Sequence, residues 1–174
     1  DPTTLPLTLA NGYTTSTSSK AITRLPDTAR HPGDIESIVI DRVNNAVTLP
    51  LGTTLDAGGM GKGYAADLAV AYAMSEGAAG VLVSANGDIV VDGDSTDGNC
   101  WRIGIEHPTD DTQEVAQVRL TRGSVITSSR VYHTWKEKQK VKHHIIDATT
   151  GRSAKTPALS ATVIAGSGAR AEAL

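Results

Sequence analysis

The chain has 174 residues, 39% hydrophobic and 20% charged, with a formal net charge of −3. That size and balance suit one folded domain over residues 1–174 rather than a disordered polar tract. No basic stripe interleaved with aromatics points to nucleic acid, and no apolar run approaches the roughly 18 residues a membrane span needs.

Residues 1–34 are rich in Thr, Ser and Pro, and a short strand or helix is expected around Leu5–Leu9, followed by loop. Ile38 and Ile40, then Val47 and Leu49, alternate about Asn44-Asn45 and predict a hairpin within Ile35–Leu49. Asp56–Gly59 is too glycine-rich for helix and reads as a tight loop. The spacing of Ala65, Leu68, Ala69, Tyr72 and Ala73 predicts a helix over Gly61–Glu76 with these residues on one face, and Gly77 ends it.

Asn86-Gly87 between Val81–Val83 and Ile89–Val91 is the strongest hairpin signal in the chain. Arg102–Glu106, Val115–Leu120, Val125–Thr127, Val141–Ile146 and Leu159–Ala165 read as further strands, and Ala169–Leu174 as the opening of a helix. The expected class is α+β: mostly antiparallel strands and hairpins with one main helix after a glycine-rich loop. Cys100 is the single cysteine, so no internal disulfide can form. The chain opens on Asp1-Pro2-Thr3 without an initiator Met and is expected to be a piece of a longer protein.

Several segments carry side chains suited to chemistry. Gly58–Tyr64, GGMGKGY, places four glycines at the mouth of the predicted helix. Backbone can approach a ligand closely there, unpaired helix N–H groups suit phosphate, and Lys62 adds a cation. A flexible turn with a solvated lysine fits the same pattern, and both readings stay open. A Walker loop is excluded, because Asp56 stands at its first glycine and Gly63 follows Lys62. The dinucleotide fingerprint is excluded by the even spacing of Gly59, Gly61 and Gly63.

Asp88 and Asp92 in Ser84–Gly93 are candidate Mg²⁺ ligands, but turn chemistry favours Asp88 as simply the residue after Asn86-Gly87. His143 and His144 should point to opposite faces of a strand and do not make a zinc motif. The plainer expectation is one exposed and one half-buried histidine; the alternative is one acting as acid or base. Asp147 to Gly151 reads as a turn. Ser128 and Ser129 lack a nucleophile elbow. Glu172 on the last helix reads, by itself, as solvated surface.

In order, DPTTLPL, LDAGGMGKGYAAD, ANGDIVVDG, CWRIGIEHP, GSVITSS, HHIIDATTG and ATVIAGSGARAEAL span nearly the whole chain. In that order and spacing the chain resembles the later part of the ApbE family, the FAD:protein FMN transferases. The resemblance implies an α+β enzyme that uses Mg²⁺ and FAD. It implies transfer of FMN to a Thr or Ser of an acceptor flavoprotein with release of AMP. FAD hydrolysis to FMN and AMP, or FAD binding without transfer, are the alternatives. It also implies work outside the cytoplasm, often with a lipid anchor.

Residue by residue, the resemblance assigns Asp1, Gly58 and Tyr64 to contacts with the flavin nucleotide and Lys62 to the lysine usual in the loop. It assigns the Gly61 carbonyl and Glu172 to the metal, and His144 to transfer. Four positions depart from the family pattern: Glu172 replaces Asp, Asn86 and Ser129 each replace Gly, and Ala148 replaces Pro.

Overall fold

A computed structural model describes residues 35–174 except 52, 54, 138, 148, 149 and 151. Asp1, Ala148 and the element expected at Leu5–Leu9 lie outside the described residues. In chain order the elements are a 3-10 turn (Ile35–Ser37), β1 (Val39–Asp41), β2 (Ala46–Thr48), a second 3-10 turn (Ala57–Gly59) and helix α1 (Gly61–Ser75). There follow β3 (Gly80–Ala85), β4 (Asp88–Gly93), β5 (Trp101–His107), β6 (Asp110–Leu120), β7 (Arg122–Ser129) and β8 (Thr134–Glu137). The chain continues through β9 (Lys140–His143), β10 (Ile146–Asp147), β11 (Arg152–Ser153), β12 (Ser160–Ala165) and helix α2 (Gly168–Ala173). The expected α+β class of antiparallel strands with one main helix is what is found. None of the described helices is long and apolar enough to cross a membrane.

The chain divides into two compact units, Asp1–Ala57 with His133–Lys155, and Gly58–Tyr132 with Thr156–Leu174. Three antiparallel hairpins make up the described strands of the first unit: β1 with β2, β8 with β9, and β10 with β11. The first is turned by Asn45 at φ 52°. The Asp41 carboxylate accepts from the Val43 and Asn44 backbone N–H groups at 2.9 and 3.0 Å. The second hairpin turns at Gln139, φ 67°.

The single strand expected over Val141–Ile146 is instead two. β9 ends against β8 at His143, and β10 begins against β11 at Ile146. The backbone changes partner between them: Ser153 Oγ accepts from the His143 N–H at 3.1 Å and donates to the His143 carbonyl at 2.8 Å. The Ala154 N–H then donates to Ile145 O at 2.9 Å. A change of partner requires a bend, and an apolar sequence pattern does not register one.

The second unit is built on a four-stranded antiparallel sheet in the order β12-β7-β4-β3. Asn86 and Gly87, at φ 56° and 92°, make the expected tight turn between β3 and β4. β4 is a central strand with both faces covered. Val90 packs with Ala66 and Val70 of α1, joined by Met74, Val81 and Val83. Val91, next in the chain and so on the other face, packs with Val125 and Ile103. The β5–β6 ribbon covers that second face through Trp101, Ile103, Ile105, Val118 and Leu120.

The helix runs where expected, but its inward face is different. Leu68 and Tyr72 are 54% and 68% exposed, and Ala65 and Ala69 are exposed too. The buried positions are Gly63, Ala66 and Val70. Small and apolar residues lie all round this helix, so periodicity does not single out a face. Close approach to α2 selects the smallest residues instead. A Cβ on Gly63 would collide with the Gly168 carbonyl carbon and oxygen, and one on Gly168 would lie 2.5 Å from Gly63 O. The tight loop expected before the helix takes the form of a 3-10 turn over Ala57–Gly59.

Candidate functional site

The site grows out of the way α1 begins. Its first residue is Gly61, and the residue before it, Met60, makes no side-chain cap. The first backbone bond of the helix runs from the Tyr64 N–H to Met60 O at 2.9 Å. Helix starts leave N–H groups needing acceptors. Here Glu172 of α2 supplies one: its Oε2 accepts from the Gly63 N–H at 2.7 Å. The opposite exchange occurs at the start of α2. Asp67 of α1 accepts from the Gly168 N–H through Oδ1 at 2.6 Å and from the Ala169 N–H through Oδ2 at 2.9 Å.

Lys62 completes the cluster. Its ammonium donates to Asp88 Oδ2 and lies 3.5 Å from Glu172 Oε1. Asp88 and Glu172 have side chains only 4% and 7% exposed, against 48% for Lys62. Partial burial pulls the Lys62 pKa down, but the hydrogen bond and charge of Asp88, then the charge of Glu172, outweigh it and hold the ammonium above its ordinary value. Glu172 Oε1 is buried and accepts no hydrogen bond. At 3.5 Å its contact with Lys62 is one of charge, too long for a well-made hydrogen bond.

Gly61, Lys62, Tyr64 and Glu172 are thus gathered at one helix start. Gly58 is exposed in the turn just ahead of it, and the Tyr64 side chain is 52% exposed. Asp1 lies outside the described residues. His144 belongs to the other unit, where it is half-buried and meets the His133 ring edge to face, with centroids 5.0 Å apart. Neither His143 nor His144 is exposed. His143 is 6% exposed, with Nε2 3.1 Å from Ala154 O. The bend at His144 interrupts the alternation that would have turned one imidazole outward.

Sequence reasoning set Asp88 aside as a turn residue. Asp88 does follow the turn, but it is also 3% exposed on the α1 side of β4. A signal was present: Asp88 and Val90 share a face of a strand, so the aspartate points the same way as a core valine. Asp92 lies at the far end of the strand and pairs with Arg122 at 3.1 Å, so the two aspartates do not act together. Asp67 was missed. Its signal is a shared spacing: GYAAD (Gly63–Asp67) and GARAE (Gly168–Glu172) each carry an acid four residues after a glycine. Glu172 is buried and bonded rather than solvated.

A hard divalent cation requires oxygen ligands. Among the described residues no group of three or more His, Cys, Asp or Glu is arranged for a metal. Two buried carboxylates nevertheless converge on a cation, the Lys62 ammonium, and the buried Glu172 Oε1 retains an unused acceptor site. Magnesium characteristically takes one or two carboxylates and fills its remaining positions with water and substrate phosphate oxygens. The residues present fit that pattern.

The chain is 36% identical over 112 residues to a protein of Salmonella typhimurium named FAD:protein FMN transferase, covering 64% of this chain and 32% of that one. A protein of the same name from Escherichia coli K12 is 35% identical over 120 residues, 68% of this chain and 34% of that one. The chain therefore spans about a third of the length of these curated relatives. The crystal structure of an ApbE protein from Thermotoga maritima matches 99% of this chain and 56% of its own, with a TM-score of 0.82 at 29% identity. The flavin transferase ApbE from Vibrio cholerae matches 99% of this chain and 55% of its own, with a TM-score of 0.73 at 28% identity. The ApbE family profile matches residues 1–174 in full, and the chain belongs to the ApbE family.

Proposed function

We propose that the whole protein transfers the FMN half of FAD to a Thr or Ser of an acceptor flavoprotein, with Mg²⁺, and releases AMP. The observation that carries the reading is the pair of buried carboxylates, Asp88 and Glu172, that meet the half-exposed Lys62 ammonium at the start of α1, just after the glycine-rich turn. The relatives' name, FAD:protein FMN transferase, supports the reaction class.

The acceptor hydroxyl oxygen attacks the phosphorus of the FMN half. The bond from that phosphorus to the bridging oxygen breaks, and the AMP half leaves with that oxygen. His144 takes the hydroxyl proton. Asp1, Gly58 and Tyr64 contact the dinucleotide. Lys62 presents positive charge beside the turn, and the start of α1 favours anionic oxygens. Glu172, Asp88 and the Gly61 carbonyl are the groups that would hold Mg²⁺, which when bound supplies charge neutralisation at the pyrophosphate. Phosphoryl transfer depends chiefly on positioning and charge compensation, which suits a site without a protein nucleophile. We place the full-length protein outside the cytoplasm with a lipid anchor, a reading that rests on the family resemblance.

The test incubates full-length protein with FAD, Mg²⁺ and an acceptor domain bearing a Thr. An FMN-sized mass increment on the acceptor together with AMP release is expected. AMP without labelling identifies a pyrophosphatase, and tight FAD binding with neither product identifies a carrier; each outcome rejects the transfer reading.

A further inference from the structure

The two helix starts of the second unit are tied by a reciprocal exchange of carboxylates. Gly63 and Gly168 touch through their backbones, and neither position has room for a Cβ. Four residues along α1 from Gly63, Asp67 reaches the N-terminal N–H groups of α2. Four residues along α2 from Gly168, Glu172 reaches the Gly63 N–H of α1. Four residues is about one helical turn, so each acid stands above its own glycine and beside the neighbouring helix's first turn.

The exchange is unequal. Asp67 commits both oxygens, to Gly168 and Ala169. Glu172 commits Oε2 alone, and its buried Oε1 accepts no hydrogen bond. One carboxylate is therefore fully used in holding the structure, while the other keeps an oxygen available towards Lys62.

A helix as short as α2, Gly168–Ala173, does not hold itself in water. Its first turn is organised by Asp67 and by Ser167, whose hydroxyl accepts from the Arg170 N–H at 3.3 Å. The geometry points to Asp67 as the positioning residue for Glu172. By fixing the start of α2, Asp67 sets where the Glu172 carboxylate arrives, without itself touching cation or substrate. This assignment rests on the reading of Glu172 as a cation ligand, but its structural half can be tested alone.

The experiment uses full-length wild-type protein and Asp67→Asn, which keeps the side-chain shape and one acceptor but loses the charge. Two quantities are read: Mn²⁺ affinity by electron paramagnetic resonance, and amide hydrogen exchange at Gly63, Gly168 and Ala169 without metal. The expected result is faster exchange at Gly63, whose N–H Asp67 does not touch, and Mn²⁺ affinity lower by about 10- to 100-fold, the range for residues that orient a ligand. Faster exchange at Gly168 and Ala169 with Gly63 and Mn²⁺ affinity unchanged would overturn the assignment, leaving Asp67 a local cap. If wild-type protein binds no Mn²⁺, or Glu172→Gln binds it equally well, the cation reading fails; the Gly63 exchange rate still decides whether Asp67 positions Glu172. Should Asp67→Asn not fold, Asp67→Glu, longer by one methylene, is read by the same two measurements and the same outcomes.

Discussion

Gly63 and Gly168, 105 positions apart in the chain, meet backbone to backbone, and neither could carry a methyl group without displacing the other's carbonyl. That contact draws Glu172 onto α1 and Asp67 onto α2. It makes the start of the main helix dependent on the last helix of the sequence.

The first prediction concerns that contact. Gly to Ala in a helix ordinarily gains about 0.5–1 kcal/mol of backbone entropy. At Gly63 the added Cβ would meet the backbone of Gly168, which has no flexible end to swing away. Overpacking of this kind costs about 1–3 kcal/mol, so the net sign is destabilising. Urea denaturation of Gly63→Ala should show a lower midpoint, and an unchanged or raised one would refute the close contact.

Lys62→Met removes the cation from between two carboxylates that are 4% and 7% exposed. Breaking a fully buried pair costs about 3–5 kcal/mol. Lys62 is about half exposed, and solvent screening brings the expected loss to about 1–2 kcal/mol. Asp88→Asn in the same chain should recover part of it, since one uncompensated charge is then gone. A double-mutant cycle without coupling would contradict the ion pair.

The same residue fixes the sign of an alkaline pH dependence. The Lys62 pKa is raised in the folded protein above its ordinary value of 10.5, by Asp88 and Glu172 acting against burial. Its contribution to stability is therefore complete below 10.5 and is lost as pH rises through the higher folded value. Wild-type protein should lose stability over that window more steeply than Lys62→Met. Parallel curves would show that Lys62 is not held by the two acids.

Gly87→Ala separates conformation from space. Gly87 has φ 92°, yet an added Cβ there meets nothing within 4 Å. Any loss is therefore backbone strain alone, about 1–2 kcal/mol for an L-residue forced into left-handed conformation. A D-alanine placed there by chemical synthesis should show no such loss, and equal loss with both enantiomers would exclude the strain explanation.

Glu172→Asp withdraws the carboxylate by one methylene from the Gly63 N–H, now 2.7 Å from Oε2. Losing a side-chain cap typically costs about 1 kcal/mol. Faster amide exchange at Gly63 in this variant is the expected reading, and unchanged exchange would mean that α2 shifts to follow the shorter side chain.

Much of the fold was legible because its signals are local. Asn86-Gly87 demanded a tight turn, Gly77 ended a helix, and alternating Ile89 and Val91 marked a strand; each rests on the dihedral preferences or periodicity of a few adjacent residues. The ordered motifs likewise carried the family. The α1 face was misjudged because the apolar residues Leu68 and Tyr72 and the smaller Gly63 and Ala66 compete for the interior, and only the neighbouring helix decides between them. The run through His143 and His144 hid a bend, since exchanging one hydrogen-bonding partner for another leaves no hydrophobic signature.

By itself, then, the sequence determined the main helix, most of the strands, the Asn86-Gly87 turn and the family, all properties of neighbouring residues or of motif order. Only the tertiary structure decided that Asp88 and Glu172 are buried against Lys62, and that Asp67 and Glu172 each hold the other's helix. Burial and hydrogen-bond partnership depend on which surfaces meet. For Gly63 and Gly168 that meeting requires two distant segments to come close enough to exclude a single methyl group.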